Sequence, residues 1–126
     1  NNWGIFNSAS SPTILDSTIT GTGVGTAGLR MNGGNPLIKN TTISGKNGSN
    51  GQGINTSGGG THVVKIDRSS IIGDAGTGSS ISSTDNYDFF VGASMLDGDV
   101  DVFGSAEIDC AQSYDGAYID LNAACQ

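Results

Sequence analysis

Gly4-Ile5-Phe6-Asn7-Ser8-Ala9-Ser10-Ser11-Pro12-Thr13-Ile14-Leu15-Asp16-Ser17-Thr18-Ile19-Thr20-Gly21 aligns without a gap, at an offset of 24, with Gly28-Leu29-Arg30-Met31-Asn32-Gly33-Gly34-Asn35-Pro36-Leu37-Ile38-Lys39-Asn40-Thr41-Thr42-Ile43-Ser44-Gly45. The same spacing runs on. Ile5, Leu29, Ile54 and Ile81 open four units, and Ile14, Ile38, Ile66 and Val91 follow nine to twelve residues later. Ile19, Ile43, Ile71 and Leu96 come five residues after those, with Gly21, Gly45, Gly73 and Gly98 closing the units. A fixed period in the 20–50-residue range is the mark of stacked repeats.

Short apolar runs between Gly, Asn, Ser and Asp clusters carry no i, i+3, i+4, i+7 pattern, and Pro12, Pro36 and the glycines oppose long helices. Thr13–Leu15, Ser17–Thr20, Thr41–Ser44, His62–Ile66 and Phe89–Val91 read as short strands. Units of near-equal length place each strand over its predecessor, in parallel pairing about 4.8 Å apart. Ile14/Ile38/Ile66/Val91 and Ile19/Ile43/Ile71/Leu96 then form two inward columns. Ser17/Thr41/Ser69/Ser94 form an inner hydroxyl ladder, while Thr18, Thr42 and Ser70 face outward. The odd spacing of five requires a bend, and Asp16 and Asn40 sit there with side chains that tolerate left-handed backbone. Gly21–Ala27, Lys46–Gln52 and Asp74–Gly78 are expected as joining loops. The expected fold is all-β, a parallel β-helix of about four to five coils. Residues 1–98 supply four coils; residues 99–126 supply an incomplete last coil, with Val100, Val102 and Ile108, and a disulfide-closed C-terminal end.

Composition agrees with a narrow core. The apolar fraction is 35%, and 21 of 126 residues are glycine; each coil of a solenoid buries only a few side chains against its neighbours. The net charge of −7 argues against nucleic acid as a partner. Charge is unevenly placed. Residues 1–69 hold five Lys/Arg against two Asp, a balance of +3, whereas residues 70–126 hold ten carboxylates and no Lys or Arg, a balance of −10. There is no apolar run of 18 residues to span a membrane as a helix, and the first residues lack a signal-peptide pattern, so the chain reads as a mature product or an excised piece. Cys110 and Cys125 suit a disulfide better than a zinc site, since only His62 is available as a partner. A disulfide points to an extracellular or cell-surface location.

The wording Gly4-Ile5-x-Asn7 … Ser11-Pro12-Thr13-Ile14-x-Asp16-Ser17-Thr18-Ile19-Thr20-Gly21 resembles the right-handed parallel β-helix repeat proteins of the pectate-lyase-like superfamily. The nearest variety is the non-catalytic bacterial cell-surface and secreted type. The resemblance covers about residues 4–98. The tail from Glu107 to Gln126 is similar to the cysteine-closed ends of some of those proteins, which would make Gln126 a natural C-terminus. The resemblance implies fold and leaves activity open, because the fold hosts lyases, hydrolases, adhesins and phage spikes.

Chemistry is sparse. Glycoside hydrolysis needs two carboxylates at a defined separation; the basic half offers only Asp16 and Asp67 as acids, and His62 stands alone in a glycine-rich loop. No catalytic residues are expected. Asp97, Asp99 and Asp101 alternate on an extended segment and would share a face; they read either as Ca²⁺ ligands or as an acidic edge that blocks strand pairing. The sequons at Asn40, Asn47 and Asn55 fit chance in so Asn- and Thr-rich a chain, and the outward Thr ladder fails at Ile72 and Asp97, which argues against an ice-binding face. No cofactor is expected. The first coil shows no cap before Trp3, Ile5 and Phe6. With Val100, Val102 and Phe103 these make a candidate stacking interface, through which copies of the chain would join head to tail into a filament. Carbohydrate is a further partner class. The alternatives are the C-terminal segment of a larger secreted β-helix adhesin, and a fragment of a polysaccharide-active enzyme.

Overall fold

The computed structural model describes residues 2–46, 50–74, 78–84 and 86–126. They form fifteen strands and, among the described residues, no helix. Sheet A runs β1 (Trp3–Ser8), β4 (Ala27–Asn32), β7 (Gln52–Ser57), β10 (Ser79–Ser83), β13 (Asp99–Val102). Sheet B runs β2 (Thr13–Leu15), β5 (Leu37–Lys39), β8 (His62–Asp67), β11 (Tyr87–Gly92), β14 (Ile108–Ala111). Sheet C runs β3 (Thr18–Thr22), β6 (Thr42–Lys46), β9 (Ser70–Ile72), β12 (Met95–Asp97), β15 (Tyr114–Asp115). Every strand pair is parallel, so the chain winds A, B, C and repeats: four full coils and a fifth, terminal one.

The register stacks the predicted columns. Ile14 lies on Ile38, Ile38 on Ile66, and Ile66 on Val91. Ile19, Ile43, Ile71 and Leu96 stack likewise on sheet C, and Ile5, Leu29, Ile54, Ile81 and Val100 on sheet A. Leu29, Ile38, Ile43, Ile54, Ile71 and Ile81 are completely buried. The sheet A strands from Trp3, Ala27 and Gln52 extend beyond what β-propensity marked, because the central Leu29 and Ile54 are flanked by glycine. Those glycines are required by close approach. A Cβ on Gly28 or Gly53 would lie 2.6 or 2.7 Å from the Cγ2 methyl of Ile43 or Ile71 in the same coil.

The hydroxyl ladder forms and is longer than expected. The backbone N–H of Ser17, Thr41, Ser69 and Ser94 donates to the hydroxyl one coil further on, of Thr41 (3.4 Å), Ser69 (3.2 Å), Ser94 (3.0 Å) and Ser113 (3.3 Å). The hydroxyls of Thr41, Ser69 and Ser94 donate to the carbonyl two residues back, of Lys39 (2.9 Å), Asp67 (2.9 Å) and Gly92 (2.7 Å). The bend before each ladder residue is left-handed, at Asp16 (φ 47°), Asn40 (49°), Arg68 (46°), Ala93 (47°) and Gln112 (53°).

One expectation is corrected. Gly21 and Gly45 lie inside β3 and β6 and do not end the strand; they are glycine because a Cβ would sit 2.0 or 2.2 Å from the carbonyl oxygen of Ala27 or Gln52, where the returning loop crosses. Past Gly98 the fifth coil supplies a strand to each of the three sheets, the last of them only two residues long. The loops Lys46–Gln52 and Asp74–Gly78, and the sequon at Asn47, fall partly or wholly outside the described residues.

Candidate functional site

A solenoid with filled columns keeps its chemistry on its faces and ends, and here the two ends differ. At the first coil, β1, β2 and β3 each stand last in their sheet, and among the described residues no strand pairs with their outer edges, where Thr22 O accepts from the Asn2 side-chain amide (3.0 Å) and Leu15 O from the Ser17 hydroxyl (2.6 Å). Ile14 and Ile19 keep 8% and 7% of their surface, against 0% for Ile38 and Ile43 one coil on. Trp3 and Phe6 stack at 5.0 Å on this rim, 40% and 50% exposed. The aromatic part of the predicted stacking interface is therefore at the rim.

At the other end the chain turns back over its own last coil. Asp115 occupies the column position below Leu96. Its carboxylate accepts from the backbone N–H of Ala117 (2.8 Å) and Ile119 (2.9 Å), which reverses the chain. The returning tail then pairs with the edges it passes. Cys110 N–H donates to Ala123 O at 2.8 Å, Leu121 N–H to Ser113 O at 2.8 Å, and Asp115 N–H to Ile119 O at 2.9 Å. The Cys110–Cys125 disulfide anchors it, with Cys125 buried. Sheets B and C are closed in this way. β13 is not: it pairs with β10 alone among the described residues. Val100 and Val102 sit half-buried on it, and Phe103 beside it is exposed. β1 and β13 are the two opposite edges of one sheet, so the six predicted interface residues occupy both ends of sheet A.

Between β13 and the tail lies a cleft of about 670 Å³, lined by Asp97, Asp99, Asp101 and Asp115 with Val100 and Leu121 among others. Asp97, Asp99 and Asp101 are not one extended face. Gly98 turns the chain between them with φ 114°, leaving Asp97 at the end of β12 on sheet C and Asp99 and Asp101 on sheet A. The Asp101 carboxylate accepts a hydrogen bond from the Ser79 hydroxyl. Among the described residues no cluster of three His, Cys, Asp or Glu side chains is arranged to hold a metal ion.

The A–B corner holds a buried polar group that the repeats did not reveal. Tyr87 is completely buried; its hydroxyl accepts from Gly33 N–H and donates to Ser57 O at 3.1 Å. Burial pushes the phenol above its usual range, opposed by the Gly33 hydrogen bond and the Arg30 charge. The His62 ring lies tilted against it, centroids 4.8 Å apart, and its Nε2 is 3.1 Å from Gly59 O. Among the described residues no carboxylate bonds to His62. Basic residues lie on the outer face of sheet B, where Lys39 meets Asp67 at 3.6 Å beside exposed Leu15 and Leu37. Comparison with protein-family models, curated proteins and solved structures finds no match.

Proposed function

We propose that this chain is a non-catalytic structural module, the closed end of a secreted or cell-surface β-helix protein of the pectate-lyase-like kind, whose bare first rung receives further coils. The asymmetry of the ends carries this reading. A tail locked by Cys110–Cys125 covers two of the three last strands, while among the described residues no strand pairs with the outer edges of the three first strands, which keep a partly exposed aliphatic rung. Terminal repeats of solenoids are the ones that carry caps, and a bare strand edge is a template for another strand. The disulfide supports an oxidising location, and the repeat wording around Ser11–Gly21 supports the superfamily. Sequencing the native protein tests it. The expected result is further repeats of 24–27 residues, the period of Ile5, Leu29, Ile54 and Ile81, ahead of Trp3. A native chain that begins here and stays monomeric would overturn it.

The free edge of β13 favours a second reading, in which copies stack head to tail through β1 and β13, with Ile5 following Val100 in one column and the +3 and −10 halves attracting. The tail confines such a joint to one face of three. Filaments in negative stain that loosen with added salt support this reading; uniform monomers at high concentration overturn it. Release of reducing sugar from acidic polysaccharide would turn the assignment to an enzyme fragment.

A further inference from the structure

We infer that the free edge of β13 is a strand-accepting site for an extended, cationic peptide segment of a partner protein. The backbone supplies the first reason. Phe103 N–H donates toward β10, to Ser83 O at 3.2 Å, and the Asp99 carbonyl accepts from the Ser80 hydroxyl at 3.2 Å, so residues 99, 101 and 103 spend their backbone groups inward. Strand alternation then aims the N–H and C=O of Val100 and Val102 at the open edge. Elsewhere on the last coil the tail meets such groups, at Cys110 and Asp115, and it bypasses β13. An unpaired edge of this kind recruits an added strand through main-chain hydrogen bonds, with side-chain pockets giving selectivity.

The side chains define the occupant. Val100 and Val102 end the inner columns below Ile81 and Ser83 and remain half-buried, so the added strand places apolar residues on them, two apart. The intervening positions face Asp99 and Asp101, and the cleft walls add Asp97 and Asp115. A second cleft of about 370 Å³ shares Val100 and continues past Val102 to Glu107 and Asp109. Residues 70–126 contain no Lys or Arg to neutralise these carboxylates. Both volumes lie within the roughly 300–1,000 Å³ typical of ligand clefts. The pattern that fits is a short run of Lys or Arg alternating with Val or Ile. The site stands whatever covers the first rung.

The test uses the intact 126-residue chain, disulfide oxidised, and fluorescein-labelled Lys-Val-Lys-Val-Lys-Val, followed by anisotropy. Saturable binding is expected that weakens about tenfold or more on Asp99→Lys and with rising salt, and that the Glu-Val-Glu-Val-Glu-Val peptide does not show. A cationic peptide N-methylated at alternate residues, which cannot donate along the edge, should lose binding to the unaltered protein. Val102→Pro should do the same from the protein side, since proline is tolerated on an edge strand. Equal binding of the N-methylated peptide would reduce the contact to charge alone and overturn the proposal. So would no binding of any peptide. Self-association of the chain that competes with the peptide and vanishes in Val102→Pro would assign the edge to a second copy instead.

Discussion

Ser69 should be worth far more than Ser17, although both are serines at the same repeat position. The Ser69 hydroxyl serves two backbone groups at once: it accepts from Thr41 N–H at 3.2 Å and donates to Asp67 O at 2.9 Å. Ser69 and Thr41 are both buried, 5% and 2% exposed, so water cannot replace the lost partner. Ser69→Ala therefore orphans one donor, the Thr41 N–H, while Asp67 O keeps its hydrogen bond from Asn40 N–H at 3.1 Å. A buried unsatisfied group costs about 1–3 kcal/mol, and the net effect of the substitution is about 2 kcal/mol. Ser17 heads the ladder. Its hydroxyl donates to Leu15 O at 2.6 Å in a solvent-exposed bond, and no coil precedes it among the described residues to donate into it. Ser17→Ala should cost about 0.5 kcal/mol, because water satisfies Leu15 O. Equilibrium urea unfolding of the two variants measures the difference, and hydrogen exchange localises it: the Thr41 amide should lose protection in Ser69→Ala alone. Equal costs, or an unchanged Thr41 amide, would refute the ladder as a stabilising device and leave it a by-product of the bend.

Three further outcomes follow from particular residues. Ala93 holds φ 47° at the corner where Asp16 and Asn40 stand in other coils, so Ala93→Gly should stabilise by about 0.5–1 kcal/mol in the same urea titration, relief of left-handed strain exceeding the entropy cost. Tyr87 is held neutral by burial; above the ordinary phenol value near 10 the unfolded chain loses this proton before the folded one, so stability should fall as pH rises through that value, and Tyr87→Phe should flatten the slope while lowering stability at neutral pH. Opening the 15-residue Cys110–Cys125 link by Cys110→Ser with Cys125→Ser should cost about 3 kcal/mol and raise exchange at the backbone N–H of positions 110 and 121, which are hydrogen-bonded between tail and coil; unchanged exchange there would show that the tail holds without its anchor.

The columns were legible in the sequence because a β-coil has few inward positions and each repeats at near-constant spacing, so Ile14, Ile38 and Ile66 announced one another. The hydroxyl ladder was legible for a related reason: small hydroxyls recur two residues before the second column. Its fifth member, Ser113, was hidden because Asp115 stands where the aliphatic marker should be. Glycines were misread as terminators at Gly21 and Gly45, since their requirement comes from a carbonyl oxygen arriving from the next loop, a contact that spacing does not encode. The aspartate run misled in the opposite way. Alternation placed Asp97, Asp99 and Asp101 on one face, and a single left-handed glycine, Gly98, moved the first of them to another sheet. Tyr87 could have been found only by asking which aromatic lies in an inward strand position opposite Gly33 and Ser57, fifty-four and thirty residues away.

The drift after Gly73 is better understood as a way of ending the solenoid than as decay of the repeat. In coils two and three an isoleucine Cγ2 fills the corner and demands Gly28 and Gly53. In coil four the column residue is Leu96, which has no Cγ2, and the glycine position becomes Ser80. That serine reaches forward, donating to Gly98 O and Asp99 O at 3.2 Å each, and so fixes where β13 begins. The register slips between Ser79 and Ile81 at the same point. One coil later the aliphatic column receives Asp115, whose carboxylate binds two backbone amides and turns the chain back on itself. Each change removes an instruction to stack and supplies a partner for a backbone group that stacking would have satisfied. β13 is the exception, with its turn made and its edge unpaired among the described residues, which is why the last coil has one receptive side.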